Sequence, residues 1–425
     1  MLDIKFLREN KEAVEKSLRD RNSKVDLNLG LQMDAERRKV LTELEDLRNQ
    51  KNKANDEISV LLKEKKDPKE KILAMRAISG RGDALEKDLK MIDAKLEGWL
   101  LTVPNMVNKD VPVGDPSKAR IERTVGEPKT LPFQAKTHID LAQELDIIDF
   151  ARATKISGSN FVLFKGLGAR LERALINFML DMHISKHGYT EIAPPYLVNR
   201  KAMTGTGQLP KMEEDMYKLS AEDLFLIPTA EVPVTNMYDD EVLDESQLPM
   251  YHTAYTACFR REAGSYGKDT RGLVRVHQFD KVEMVKFVVP ETSYAEHEKL
   301  VGEAEDVLKA LGLTYRVICL SSQDLSFAAA KCYDLEAYAP GMDKWLEVSS
   351  CSNFESFQAR RAGIKFRRKD TKKTDYVHTL NGSGVAMART VIAILENYQQ
   401  ADGSVVIPEV LRPYMGGVER ITKGA

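Results

Sequence analysis

Long apolar runs are missing. No stretch of 18 or more apolar residues occurs among the 425, so the sequence offers no membrane-spanning helix and predicts no membrane partner. Cysteine is scarce. Cys258, Cys319, Cys332 and Cys351 form no C-x-x-C pair and no dense disulfide framework, which fits a reducing compartment and predicts a cytoplasmic protein. A dominant charge is also absent. With 63 Lys+Arg against 65 Asp+Glu, the formal charge of -2 excludes a histone-like basic protein and an acidic disordered one, while a local nucleic-acid surface stays open. The opening MLDIKFLRENKEAVEKSL lacks an apolar core before a cleavage site, so it does not read as a signal or transit peptide.

Familiar nucleotide and metal signatures are lacking too. No G-x-G-x-x-G occurs, and Gly264-Ser265-Tyr266-Gly267-Lys268 is too short between its glycines for a Walker loop. Any nucleotide must therefore be held by side chains on a sheet. His183 and His187 are four apart but have no third ligand in view, and His297-Glu298 lacks the second histidine of H-E-x-x-H.

What is present divides unevenly. A chain of 425 residues with 43% apolar content is long enough for two or three domains. Residues 31–100 carry 16 Lys/Arg and 15 Asp/Glu with no aromatic before Trp99, so they can bury only a narrow stripe. That stripe is visible. Val40, Leu44, Leu47, Ala54, Ile58 and Leu61, with Lys51 in the gap, step by 4 and 3, as do Leu85, Leu89, Ile92, Leu96 and Trp99. Lys65-Lys66-Asp67-Pro68 breaks the two seams, which predicts an antiparallel helical hairpin with arms of about 32 residues, roughly 45–50 Å long. Such a hairpin is either an oligomerisation coiled coil or an arm that grips a long polyanion, and composition does not choose between them. Gly80 and Gly82 predict a weak spot or bend in the second arm. Five prolines between 104 and 132 mark an extended connector.

The expected organisation is a hairpin over 1–105, a connector over 106–135 and a large domain over 136–425. Beyond 136 the pattern predicts helices around 171–179 and 293–311, a short strand at 189–193, and strands at 252–262, 273–288, 313–320 and 343–351. Consecutive strands without regular helical crossovers argue for an antiparallel sheet and an α+β class.

Two segments carry chemistry. Strand alternation would put Arg260 and Glu262 on one face, joined across a loop (Ala263 to Gly272) by Arg275, Phe279 and Glu283, with His277 and Lys281 on the same parity. A phenylalanine among arginines suits a stacked purine better than an idle surface. The second segment, Asn381-Gly382-Ser383-Gly384 and the apolar run after it, embeds Arg389 mid-helix. A buried guanidinium needs a carboxylate or a phosphate.

Taken together, these segments resemble the bacterial-type seryl-tRNA synthetases, class II aminoacyl-tRNA synthetases, along essentially the whole chain. Phe259-Arg260-Arg261-Glu262 with Arg275-Val276-His277-Gln278-Phe279 resembles motif 2 of that class, and Asn381-Gly382-Ser383-Gly384 to Arg389 resembles motif 3. The helix ending near Gly188 and the strand into Pro194-Pro195 resemble motif 1. Thr204-Gly205-Thr206-Gly207-Gln208-Leu209-Pro210, Thr229-Ala230-Glu231, Glu347-Val348-Ser349-Ser350-Cys351-Ser352-Asn353 and Val103-Pro104-Asn105 are similar to segments particular to the serine enzymes.

The resemblance implies a catalytic domain on a mainly antiparallel sheet flanked by helices, a homodimer built on motif 1, and a two-step reaction. Serine and ATP would give seryl-adenylate, and the seryl group would pass to the terminal adenosine of tRNA(Ser), or of tRNA(Sec) where present. The hairpin would grasp the long variable arm of the tRNA.

The resemblance also implies residue roles. Arg260, Arg275 and Arg389 would handle the phosphates, Glu262 and Phe279 the adenine, with Arg261, Val276, Val348 and Ser349 beside the nucleotide. Glu347 and Ser350 would hold Mg²⁺. Thr229, Ala230, Glu231, Glu283, Asn381 and Ser383 would form the serine pocket. Glu347 and Ser350 have opposite strand parity, so reaching one ion requires a bulge or turn. Two rival readings remain, an adenylate-forming enzyme of the same fold serving a carrier protein and a non-catalytic tRNA-binding paralogue. The first has no need of the arm, and the second would be expected to have lost one of these charged residues.

Overall fold

The structure, a computed structural model, describes residues 1–263 and 271–424. Most of the loop expected between Ala263 and Gly272, with Gly264-Ser265-Tyr266-Gly267-Lys268, lies outside them. The chain forms two compact units, which meet in sequence at Pro104 and Asn105.

The first unit is all helix. Asp3 caps α1 (Ile4–Glu9) by accepting from Lys5 N, and α2 (Lys11–Asp20) follows. Asp26 caps α3 (Leu27–Lys63), and Pro68 precedes α4 (Lys69–Leu100). These two helices pack against each other, and their seam residues are the buried or half-buried ones, while Lys51 is exposed. Ion pairs flank the seam at Arg37–Asp93 (2.5 Å), Arg81–Glu43 (2.8 Å) and Arg48–Glu86 (3.3 Å), which fixes the antiparallel pairing. The helix is not broken at Gly80 and Gly82. α4 runs through both, and neither glycine would bring a Cβ near another atom. The seam on either side offsets their poor propensity, about 1 kcal/mol each.

The second unit is built on an eight-stranded sheet. In chain order its strands are β1 (Arg120–Val125), β2 (Thr190–Glu191), β3 (Met250–Phe259), β4 (Gln278–Val288), β5 (Tyr315–Cys319), β6 (Lys331–Ala339), β7 (Lys344–Asn353) and β8 (His378–Ala386). They lie in the order β1-β5-β6-β7-β8-β4-β3-β2, antiparallel except for the β2–β3 pair. One correction concerns the stretch 106–135: within it, β1 joins the sheet edge against β5, so it is not connector throughout. Strands β6 and β8 were not anticipated. His378–Ala386 holds Asn381-Gly382-Ser383-Gly384, which reads as a turn in isolation. Here Gly382 lets the strand press against Leu300 and Cys351, where a Cβ would meet Cys351 Sγ at 2.9 Å.

Three helices, α5 (Leu167–Ser185), α6 (Ser293–Ala310) and α7 (Met387–Tyr398), pack on the sheet and build the main core. Gly312, in the left-handed region at φ 65°, follows α6 as expected. Alternate strand residues turn toward these helices, as Tyr333 does in donating to Glu298 of α6 at 2.7 Å. On the other face Ala254, Val285 and Phe287 of β3 and β4 pack in a smaller apolar cluster, and the polar side chains lie beside it.

Gly30 in α3 generates a stability prediction. A Cβ there would lie inside the contact distance of the Trp99 indole. Gly30→Ala should destabilise the hairpin by roughly 1–2 kcal/mol, the overpacking cost exceeding the gain in helix propensity. Thermal melting followed by circular dichroism checks this. A variant as stable as the native protein contradicts the packing.

Candidate active site

A cavity of about 620 Å³ opens on the side of the sheet opposite α6, lined from β4, β7, β8, the start of α7 and the segments that follow β3 and precede β4. Of the anticipated residues, Thr229, Glu231, Arg260, Glu262, Arg275, Val276, Phe279, Glu283, Glu347, Val348, Ser349, Ser350, Asn381, Ser383 and Arg389 line it. Ala230 and Arg261 do not. Ala230 is fully buried in the framework, and Arg261 is exposed, its guanidinium donating to Glu214 O at 3.1 Å.

Arg260 and Glu262 reach the cavity, but not by strand alternation. β3 ends at Phe259, and the Arg260 N–H bonds His277 O at 2.9 Å as the last rung. Arg261 N then turns to Asp215 O, and Glu262 adopts φ 50°. Likewise β4 starts at Gln278, so Arg275 stands before the strand. The Arg260 guanidinium lies over the Phe279 ring, 5.2 Å from its centroid, and Arg275 pairs with Glu262 at 2.7 Å.

Arg389 is the third residue of α7, not its middle, because β8 continues to Ala386. It is half-buried and not buried as expected, and it has a carboxylate partner. Its Nη1 lies 3.2 Å from Glu347 Oε2 and donates to Glu347 O at 2.8 Å, while Nε donates to Val274 O at 3.2 Å. The bulge anticipated between Glu347 and Ser350 is present. Leu335 pairs with Ser349 and Glu336 with Glu347, leaving Val348 as the extra residue. That extra residue restores the parity of Glu347 and Ser350. A second bulge at Gly384 separates Ser383 from Val385 on β8. A Cβ on Gly384 would come within 2.7 Å of His183 Nε2.

Glu231 and Glu283 sit at the deep end. Glu283 Oε1 accepts from Asn381 at 2.7 Å, and its Oε2 meets Lys281 Nζ at 2.6 Å and the Ser383 hydroxyl at 3.4 Å. Glu231 Oε1 accepts from Gln358 Nε2 at 2.6 Å. The Thr379 hydroxyl donates to the Gln358 carbonyl oxygen at 2.7 Å, which holds the amide as a donor toward Glu231. Burial, with Glu283 nearby, pushes the Glu231 carboxyl up to about 7.

Sequence reasoning missed Lys281, Gln358 and Asp334. Lys281 shares the parity of Phe279 and Glu283, so its position was visible even though its role was not. Asp334 is a buried carboxylate paired across the strands with Ser350. Burial and the charge of Glu347 hold its carboxyl well above the usual range. Nothing local in the sequence marks it.

Comparison with known proteins gives matches along the whole chain. Residues 1–107 match the seryl-tRNA synthetase N-terminal domain, and residues 215–398 match the tRNA synthetase class II core domain (G, H, P, S and T). The serine–tRNA ligase of Desulforapulum autotrophicum is 55% identical over 99% of both chains, and that of Trichlorobacter lovleyi 54% identical over 100% of both. Among solved structures, the seryl-tRNA synthetase of Pyrococcus horikoshii complexed with ATP superposes with a TM-score of 0.94 at 39% identity, covering 100% of both chains. The cytoplasmic serine–tRNA ligase of Naegleria fowleri in complex with AMP gives 0.90 at 29% identity, covering 100% of this chain and 99% of that one.

The deep carboxylates generate a pH prediction. A carboxyl whose folded-state value is raised from about 4.5 to about 7 holds an extra proton between those limits. Folding stability therefore falls as pH rises through that window and levels off above it. Glu231→Gln removes this dependence. Relative to the native protein, the variant should gain roughly 2–3 kcal/mol between about pH 4.5 and pH 8, read by urea denaturation. A difference that does not change with pH contradicts the burial of an ionisable Glu231.

Proposed function

This chain belongs to the seryl-tRNA synthetase family of class II aminoacyl-tRNA synthetases, and on that premise we propose how its cavity and its helical arm divide the work. The enzyme activates L-serine with ATP and transfers the seryl group to the 3′-terminal adenosine of tRNA(Ser). The observation that carries the assignment of roles is the meeting, in the lining of one cavity, of three arginines with two buried carboxylates.

In the first step a serine carboxylate oxygen attacks the α-phosphorus, a new O–P bond forms, and the bond to pyrophosphate breaks. The attacking group is already an anion at neutral pH, so the step has no obligatory general base. What it needs is positive charge near a crowded anion. Arg260 and Arg275 supply it at the α-phosphate, and Arg389 at the pyrophosphate end. Phe279 offers its ring to the adenine and Glu262 an acceptor for the adenine amino group. Each arginine is already held by a carbonyl, a ring or a carboxylate, so little reorganisation is needed when phosphate oxygens replace those partners. The Pyrococcus relative was solved with ATP, which supports this use of the cavity.

A divalent ion fits the same end. The Glu347 carboxylate and the Ser350 hydroxyl are hard oxygen donors brought to one face by the bulge, a set suited to Mg²⁺ carried on nucleotide phosphates. When bound, the ion neutralises charge on the departing pyrophosphate.

Serine occupies the deep end. Glu231 receives its ammonium, and Glu283, Ser383 and Asn381 surround its hydroxyl, with Thr229 beside them. Alanine leaves those polar groups unsatisfied, and threonine is limited by room.

We assign the unit up to Pro104 to tRNA binding and the remainder to catalysis, with the stretch before β1 as the connector. The exposed lysines of the hairpin are phosphate contacts for the long variable arm, of tRNA(Ser) and equally of tRNA(Sec) where a cell makes one. Helix α5 with strand β2 forms the homodimer contact. A cytoplasmic location agrees with four free, buried cysteines and with the naming of the Naegleria relative. Among the described residues no helix is long and apolar enough to cross a membrane.

Replacing residues 30–98 by a short Gly/Ser connector tests the division. Serine-dependent pyrophosphate exchange should stay within about threefold, while charging of tRNA should fall by orders of magnitude. Collapse of exchange makes the hairpin part of the catalytic fold. Surviving charging makes it an oligomerisation device.

A further inference from the structure

The deep end of the cavity contains a cation that the scheme above leaves without a task. Lys281 is buried, and its ammonium lies 2.6 Å from Glu283 Oε2 and 2.9 Å from Thr229 Oγ1. With Asn381 on Oε1 at 2.7 Å and Ser383 3.4 Å from Oε2, Glu283 is a carboxylate whose charge is compensated and whose oxygens already face donors.

Glu231 differs. Its single side-chain hydrogen-bond partner among the described residues is the neutral Gln358 amide at 2.6 Å, on Oε1, and the charges of Lys281 and Arg260 reach it only through space. The two carboxylates therefore offer an amino acid different things. A full positive charge is favoured beside Glu231. A neutral hydroxyl can share Glu283, whereas a second ammonium there meets Lys281 as a like charge in a space poor in water.

We propose that Lys281 is a specificity-determining residue, whose charge makes the Glu283 end of the serine subsite accept a hydroxyl and refuse an ammonium of the same size. The inference rests on the serine-subsite reading above and adds to it the repulsive element. Size cannot separate serine from L-2,3-diaminopropionate, in which an amino group replaces the hydroxyl. Charge can, and Lys281 is the cation in contact with Glu283.

The experiment compares kcat/KM for L-serine and L-2,3-diaminopropionate in ATP–pyrophosphate exchange, for the native enzyme, Lys281→Met and Lys281→Arg, with circular dichroism melting to follow folding. The native enzyme should strongly prefer serine. Lys281→Met should lower the serine-to-diaminopropionate ratio at least ~10-fold, and Lys281→Arg should hold it within about threefold of native. A folded Lys281→Met variant with an unchanged ratio makes the lysine a structural strut and overturns the proposal.

Should Lys281→Met not fold, Lys281→Gln gives the same test, because it keeps a hydrogen-bond donor toward Glu283 without the charge. The ratio must again fall at least ~10-fold, and a folded variant with the native ratio overturns the proposal. Failure of the underlying subsite reading looks different. In that case Glu231→Gln and Glu283→Gln both leave kcat/KM for serine at the native value, and the proposal falls with the subsite.

Discussion

Charge balance on the open face of the sheet governs the rest of this molecule. Arg389 faces Glu347, Arg275 faces Glu262 and Lys281 faces Glu283, so three cations stand within 2.6–3.2 Å of three carboxylates. The Lys281–Glu283 pair is buried, where an unpaired charge costs several kcal/mol, while Arg389 and Glu262 are half-buried and Arg275 and Glu347 are exposed. Pairing holds the guanidinium groups in place while leaving them exchangeable, because a phosphate can offer the same two-pronged acceptor as a carboxylate. The chemistry of activation thus draws on groups that are already paired in the fold.

That balance is possible because the sheet has two unlike faces. α5, α6 and α7 cover one of them and form the main core, and strand alternation sends every second side chain to the other. Two bulges adjust the alternation where chemistry needs it. The extra Val348 brings Glu347 and Ser350 to the same side, and the extra Gly384 carries β8 past His183 just after Ser383. The same strand then feeds α7, whose first turn delivers Arg389 beside Glu347.

Much of this was legible in the sequence, for identifiable reasons. The hairpin seam could be read because its 4–3 spacing is local, and its apolar residues are buried or half-buried in the structure. Phe279 and Glu283 could be placed on one face because they lie within a single regular strand. The bulge at Val348 followed from asking two donors of opposite parity to meet. Other features depended on distant partners. Asn381-Gly382-Ser383-Gly384 reads as a turn until Leu300 and Cys351 are packed against it. Arg260 and Glu262 share the cavity through a left-handed residue, which alternation could not supply. Lys281 lay in plain view on the right parity, but a lysine near glutamates is ordinary on a surface, and only its burial sets it apart. Asp334 depended on pairing with β7 across a strand that was itself unforeseen.

The central claim is that the two-ended cavity makes an adenylate from one amino acid. Amino-acid-dependent exchange of labelled pyrophosphate into ATP, run across the twenty amino acids without tRNA, tests it most directly. The account predicts exchange with L-serine and kcat/KM at least ~10²-fold lower with alanine, since a site built to pair a hydroxyl is left unsatisfied without one. Serine and alanine values within tenfold of each other, or exchange that does not depend on serine, would contradict it.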